Sequence, residues 1–148
     1  MLALYPGSFD PFTKGHLDVA KRALDIFGAL HIAVVHNPAK QAKNSLESRV
    51  AAIQEVIPEA TVGVLESGLL VNYAKNVGAD VLIKGLRNST DVDSELAQAK
   101  INKDLSGLET LFLMADPENV KISSTLVRQV EALGGDVSAY LPKGEKND

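Results

Sequence analysis

The sequence predicts an α/β protein: a Rossmann-like, doubly wound parallel sheet of five strands with helices on both faces. Three observations predict it. Short apolar, β-branched runs alternate five times with longer segments of helical periodicity. The runs lack the polar alternation of a half-exposed sheet, so each reads as a strand covered on both faces. The junctions are marked by Gly, Pro, Asn and Ser, which end one element and open the next.

In order, Leu2 to Tyr5 is the first strand. The stretch Tyr5-Pro-Gly-Ser-Phe-Asp-Pro-Phe-Thr-Lys-Gly-His16 is a strand-to-helix turn in which Pro6, Gly7 and Pro11 are expected to exclude regular structure. A helix then starts near His16, with Leu17, Ala20, Leu24 and Phe27 on one face and Gly28 as its stop. Leu30 to His36 is the second strand, ended by Asn37-Pro38. Ser45 is an N-cap for a helix whose inward face is Leu46, Val50, Ile53 and Ile57, before Pro58. Ala60 to Leu65 is the third strand, and a short helix follows with Leu70, Ala74 and Val77 inward and Gly78 closing it. Val81 to Ile83 is the fourth strand, which Lys84-Gly85-Leu86-Arg87 leaves. A polar helix from about Asp91 to Leu105 places Val92, Leu96 and Ala99 on one side. Glu109 to Met114 is the fifth strand, and a last helix from Ile122 ends at Gly134-Gly135, with one further turn expected between Asp136 and Pro142.

The 148 residues suffice for one domain, expected over 1–142, with a charged, fraying tail at 143–148. The net charge of −4 argues against binding nucleic acid or an anionic membrane surface, while leaving room for a local basic pocket. There is no cysteine, which excludes disulfides and thiolate metal sites, and no window approaches a membrane span. A soluble, cytoplasmic protein is the expectation, and no metal-ligating residues are singled out.

Polar residues gather just after the strands: Ser8 to His16 after the first, Lys40 after the second, Lys84 and Arg87 after the fourth, Ser123 and Ser124 after the fifth. Parallel strands bring all four loops to one edge, where ligands of such sheets collect. Each residue alone has a plainer reading: Lys40 as a solvated loop lysine, Arg87 as an ion-pair partner of Asp91 or Glu95, Ser123 and Ser124 as helix caps. Together they describe a crevice with a histidine, cations, hydroxyls and two helix starts, suited to a polyanion. His31 and His36 read as structural.

Ser8-Phe9-Asp10-Pro11 with Thr13-x-Gly15-His16 resembles the signature of nucleotidyltransferases that carry (His or Thr)-x-Gly-His, and Ile122-Ser-Ser-Thr-Leu-Val-Arg128 resembles a second motif of that superfamily. With Asn37-Pro38-Ala39-Lys40, Ile83-Lys84-Gly85-Leu86-Arg87 and Gly135-Asp136-Val137, the pattern is similar to the phosphopantetheine adenylyltransferase family across nearly the whole chain. That resemblance implies transfer of AMP from ATP to 4'-phosphopantetheine, giving dephospho-coenzyme A and pyrophosphate, the penultimate step of coenzyme A synthesis. It implies catalytic roles for His16, Ser8, Lys40, Arg87 and Ser124. It assigns ATP to Ser8, Phe9, His16, Gly85, Leu86, Arg87, Glu95 and the stretch Asn119, Val120, Lys121, Ile122, Ser123, Ser124 and Thr125. Phosphopantetheine falls to Ser8, Lys40, Leu70 and Lys84. Magnesium is expected to travel with the ATP, and family members are hexamers. Lys84 stands where the family commonly has arginine, and Val92 to Ser94 and Asn119 to Lys121 lack aromatic residues usual there. The rival readings are a nicotinamide-nucleotide adenylyltransferase, which shares both motifs, and a non-catalytic nucleotide sensor.

Overall fold

The computed structural model describes residues 1–38, 42–119 and 121–142. Lys40, Val120 and the 143–148 tail therefore lie outside the described residues. Along the chain run β1 (Leu2–Gly7), α1 (Lys14–Phe27), β2 (Ala29–Val35), α2 (Leu46–Val56), β3 (Thr61–Leu65), α3 (Leu70–Val77), β4 (Val81–Leu86), α4 (Ser89–Ser106), β5 (Thr110–Met114) and α5 (Ser124–Ala132). Single 3-10 turns lie at Pro117–Asn119 and Ser138–Tyr140. The second of these is the turn expected before Pro142.

The strands form one five-stranded sheet in the order β3-β2-β1-β4-β5, every pairing parallel. Its two faces are built by alternate residues of the same strands. Ala3, Tyr5, Leu30, Ile32, Val34, Val81 and Ile83 pack with Val19, Ala20 and Ala23 of α1 and Ile53 of α2. Leu4, Ala33 and Leu82, one residue out of phase, pack with Ala74 of α3. Burial on both sides explains why the strands read as unbroken apolar runs.

The chain winds outward from β1 to β3, then crosses back to β4 and β5, so the direction of winding reverses between β1 and β4. There the pairing is short. β1 and β2 are in register over six pairs, from Leu2↔Ala29 to Gly7↔Val34. With β4 the register holds only at Ala3↔Val81 and Leu4↔Leu82. The Leu2 carbonyl accepts from Asp80 N at 2.8 Å, so Leu2, Leu4 and Pro6 face β4 by strand alternation. The next rung would use the amide of Pro6, which has none. Past Leu4 the two strands part, and the gap opens toward their carboxyl ends.

Three expectations need correction. Pro6 and Gly7 do not end the first strand; they belong to it, because β2 still pairs with both while the missing proline N–H faces the gap. Lys84, Gly85 and Leu86 likewise lie within β4, held by β5 through Leu86↔Met114. Of Val92, Leu96 and Ala99, expected on one side of α4, Val92 and Ala99 are partly covered and Leu96 is not. Asn88 caps the helix at Ser89, its side chain accepting from Thr90 N and Asp91 N, and no residue of α4 is buried. Asp91, Val92, Glu95, Ala99 and Asn102 are the partly covered positions, whereas Leu96 is 52% exposed. The stripe turns to Glu95 because that carboxylate meets Lys84 on β4 at 3.5 Å.

Candidate active site

Above the gap between β1 and β4 lies a cleft of about 820 Å³. Its floor is the turn from Ser8 to Thr13. Phe9 takes a positive φ of 48° and folds its ring back over Gly7, where a Cβ would come within 2.7 Å of the ring carbons. Glycine at position 7 therefore makes room for Phe9. The ring is 2% exposed and packs edge-on against Tyr5, Phe12 and His16, with centroids 5.1, 5.2 and 5.0 Å away. Phe9 thus shapes the floor of the cleft as an aromatic plug.

The polar atoms of this turn are tied down from both flanks. Arg49 donates to the Ser8 carbonyl at 2.7 Å, Ser124 Oγ to that of Pro11 at 2.7 Å, and Arg128 to that of Asp10. The Asp10 carboxylate accepts from the amides of Lys43 and Asn44 at 2.9 and 3.1 Å and from the Asn44 side chain at 2.6 Å. Burial alone would raise this carboxyl. Those hydrogen bonds, with the charge of Arg49, outweigh it and hold Asp10 below the usual carboxylate range.

His16 is the third residue of α1 and closes its capping box with Thr13. Thr13 N donates to His16 Nδ1 at 2.9 Å, and His16 N donates to Thr13 Oγ1 at 3.4 Å. With Nδ1 accepting, the ring proton sits on Nε2. Burial first, then the positive charges of Arg87 and Lys84, push His16 down to about 4. At neutral pH the side chain is therefore an uncharged hydrogen-bond donor at the lip of a cationic cleft. Lys84 pairs with Glu95, and Arg87 with Asp91 at 3.4 Å, so α4 supplies a carboxylate to each cation. Arg87 also donates to the Ile122 carbonyl at 3.4 Å, which links β4 to the approach to α5. Gly85 lies close under α1, a Cβ there meeting Val19 at 3.1 Å.

Of the residues expected to form the site, Ser8, Phe9, His16 and Leu70 line the cleft, as do Lys84, Gly85, Arg87 and Glu95. So do Asn119, Ile122, Ser123, Ser124 and Thr125. Leu86 and Lys121 do not line it. The sequence reading missed Thr13, Arg49, Asp91 and Arg128, which also line it, as does His36, expected to be structural. A signal for Arg49 existed: a charged residue set between Leu46 and Ile53 on the inward face of its helix. Among the described residues no cluster of His, Cys, Asp or Glu is arranged to hold a metal. No helix of the described residues is long and apolar enough to cross a membrane.

Comparison with known proteins shows the family. The cytidylyltransferase-like family model matches residues 4–130. The phosphopantetheine adenylyltransferase of Clavibacter michiganensis is 50% identical over 147 residues, covering 95% of this chain and 90% of the relative. The chain belongs to the phosphopantetheine adenylyltransferase family. The Leifsonia xyli and Caldanaerobacter subterraneus phosphopantetheine adenylyltransferases, 47% and 43% identical, each match 95% of this chain and 92% and 90% of their own length. Among solved structures, a bifunctional NMN adenylyltransferase/ADP ribose pyrophosphatase from Francisella tularensis, complexed with AMP and a manganese ion, superposes with TM-score 0.70 at 16% identity. It covers 99% of this chain and 45% of that longer one. A second structure of the same protein gives TM-score 0.73 at 15% identity, over 97% of this chain and 45% of that one. At such identities the likeness speaks to the fold: a phosphopantetheine adenylyltransferase chain and an NMN adenylyltransferase share one architecture.

Proposed function

We propose that this enzyme transfers AMP reversibly from ATP to 4'-phosphopantetheine, giving dephospho-coenzyme A and pyrophosphate. The single observation that carries the reading is the meeting, at the parting of β1 and β4, of His16, Lys84, Arg87 and the starts of α1 and α5 around one cleft. The half beside β1, β4 and α5 takes ATP. The half beside β2 and α3, lined by His36, Asn37, Pro38 and Leu70, takes the pantetheine arm.

An oxygen of the acceptor phosphate attacks the α-phosphorus of ATP in line. The new O–P bond forms as the bond to the bridging α–β oxygen breaks, and pyrophosphate leaves on the opposite side. The acceptor is already an anion, so no general base and no covalent intermediate are needed. Catalysis is placement and charge stabilisation. His16 donates from Nε2 to the α-phosphoryl oxygens, where negative charge builds. Arg87 meets the leaving phosphates. The Ser124 hydroxyl already donates to Pro11, so α5 contributes through the unpartnered amides of its first turn, at Ser124 and Thr125. Magnesium, expected to travel with the ATP, would supply further charge neutralisation at its phosphates beside Lys84 and Arg87.

The nicotinamide reading is less favoured: the relatives at 43–50% identity are phosphopantetheine adenylyltransferases, and likeness to NMN adenylyltransferase structures stops at 15–16%. The test is pyrophosphate release with ATP, magnesium and each acceptor in turn, with mass spectrometry for dephospho-coenzyme A. Release with nicotinamide mononucleotide but not with 4'-phosphopantetheine overturns the reading. Tight ATP binding without release for either acceptor favours the sensor. For Lys40→Ala the expected loss falls on acceptor affinity, and calorimetry showing normal 4'-phosphopantetheine binding contradicts the role. A cytoplasmic location and a hexamer complete the reading. The exposed Leu96, Ile101 and Leu105 on α4, with Leu111 and Met114 on the edge strand β5, support assembly.

A further inference from the structure

Three side chains from outside the Ser8–Thr13 turn hold its carbonyls, and two of them, Arg49 and Arg128, have no place in the reaction as drawn above. Arg49 of α2 donates through Nη1 to the Ser8 carbonyl at 2.7 Å and through Nε to the Ser45 carbonyl at 3.3 Å. It is 5% exposed, and among the described residues no carboxylate lies within ion-pair distance of it. The Asp10 carboxylate feels its charge without pairing with it, and the hydrogen bonds of this costly buried guanidinium go instead to main-chain oxygens. Attraction to Asp10 at a distance does not set its orientation; the bonds to two carbonyls do. Ser8 itself is exposed, so packing does not set the orientation of its peptide. Arg49 spans from that peptide to Ser45, the N-cap of its own helix. Both Ser8 and Arg49 line the cleft.

We infer that Arg49 is a positioning residue: by locking the Ser8 carbonyl toward α2, it aims the Ser8 hydroxyl at the acceptor phosphate. This rests on the reading of the cleft as a phosphopantetheine adenylyltransferase site. A carbonyl left unanchored at that lip would also present negative charge to an incoming phosphate, so one contact both orients a donor and removes a repulsion.

The experiment is a double-mutant cycle on the full chain with Arg49→Lys, Ser8→Ala and the pair, following dephospho-coenzyme A formation at saturating ATP and magnesium. Arg49→Lys is expected to lower kcat about tenfold in the parent and less than about twofold in the Ser8→Ala background, with the KM for ATP unchanged. If Arg49 serves stability alone, the same factor is lost in both backgrounds, and the proposal is overturned. Should the lysine variant not fold, Arg49→Gln, whose amide can still donate to the Ser8 carbonyl, takes its place in the cycle. A parent inactive toward 4'-phosphopantetheine overturns the reading of the cleft, and the proposal with it. An active parent with additive variants overturns the proposal alone.

Discussion

His16 combines a capping role with a chemical one, and the two are separable. Its Nδ1 satisfies Thr13 N, so His16→Ala loses a cap partner, about 1 kcal/mol of stability, as well as the donor on Nε2. The expected loss of turnover is far larger, about 10²- to 10³-fold. Steady-state kinetics on folded protein check it, and parent-like kcat excludes the role. The acid response follows from the same residue. A histidine in the unfolded chain titrates near 6.5, while His16 in the fold is pushed down to about 4. Between these values the unfolded chain takes up a proton that the folded one refuses. Stability is therefore fully present above the unfolded value and falls as pH drops through that window. Urea midpoints measured from neutral pH down to about pH 5 are expected to fall less in His16→Gln than in the parent. His16 was legible because the residues around it form a motif. For Arg49 the sequence showed only a charge on the inward face of its helix; which main-chain oxygens it holds depends on contacts far along the chain.

At the scale of elements, the turn into α1 and the turn out of it each depend on a glycine, for different reasons. Gly7 is required by what lies above it: a Cβ there would sit 2.7 Å from the Phe9 ring. Gly28 is required by its own backbone, at φ 84°, with nothing near. Gly7→Ala is expected to cost about 1 to 3 kcal/mol through displacement of the aromatic plug and to impair activity. Gly28→Ala is expected to cost about 1 kcal/mol and leave activity intact. Thermal denaturation and kinetics on both variants separate them; equal activity losses would contradict the assignment. The strands were legible because burial on both faces writes itself as continuous apolar runs. The inward face of α4 was not, because its covered positions include Glu95, placed there by Lys84, while Leu96 faces out. Propensity and periodicity do not register a long-range ion pair. Nor do they reveal that Pro6 belongs to a strand, which depends on which neighbour its imide faces.

For the molecule as a whole, the sequence could place four loops on one edge but not the strand order, because pairing is set by contacts far apart along the chain. The order β3-β2-β1-β4-β5 brings the first and fourth strands together and so sets His16 beside Lys84 and Arg87. The exposed side of α4 and β5 bears on assembly. Replacing Ile101 and Leu105, each 57% exposed, by aspartate is expected to shift the species seen by light scattering toward smaller assemblies without unfolding the chain. An unchanged mass would remove this face from the interface. The short pairing of β1 with β4 reaches furthest. The three-strand wing and the two-strand wing are sewn together by few main-chain stitches along this line, with α1 lying across it. A nucleotide seated there would suture one wing to the other, so that the enzyme is most firmly knit when its substrate is in place.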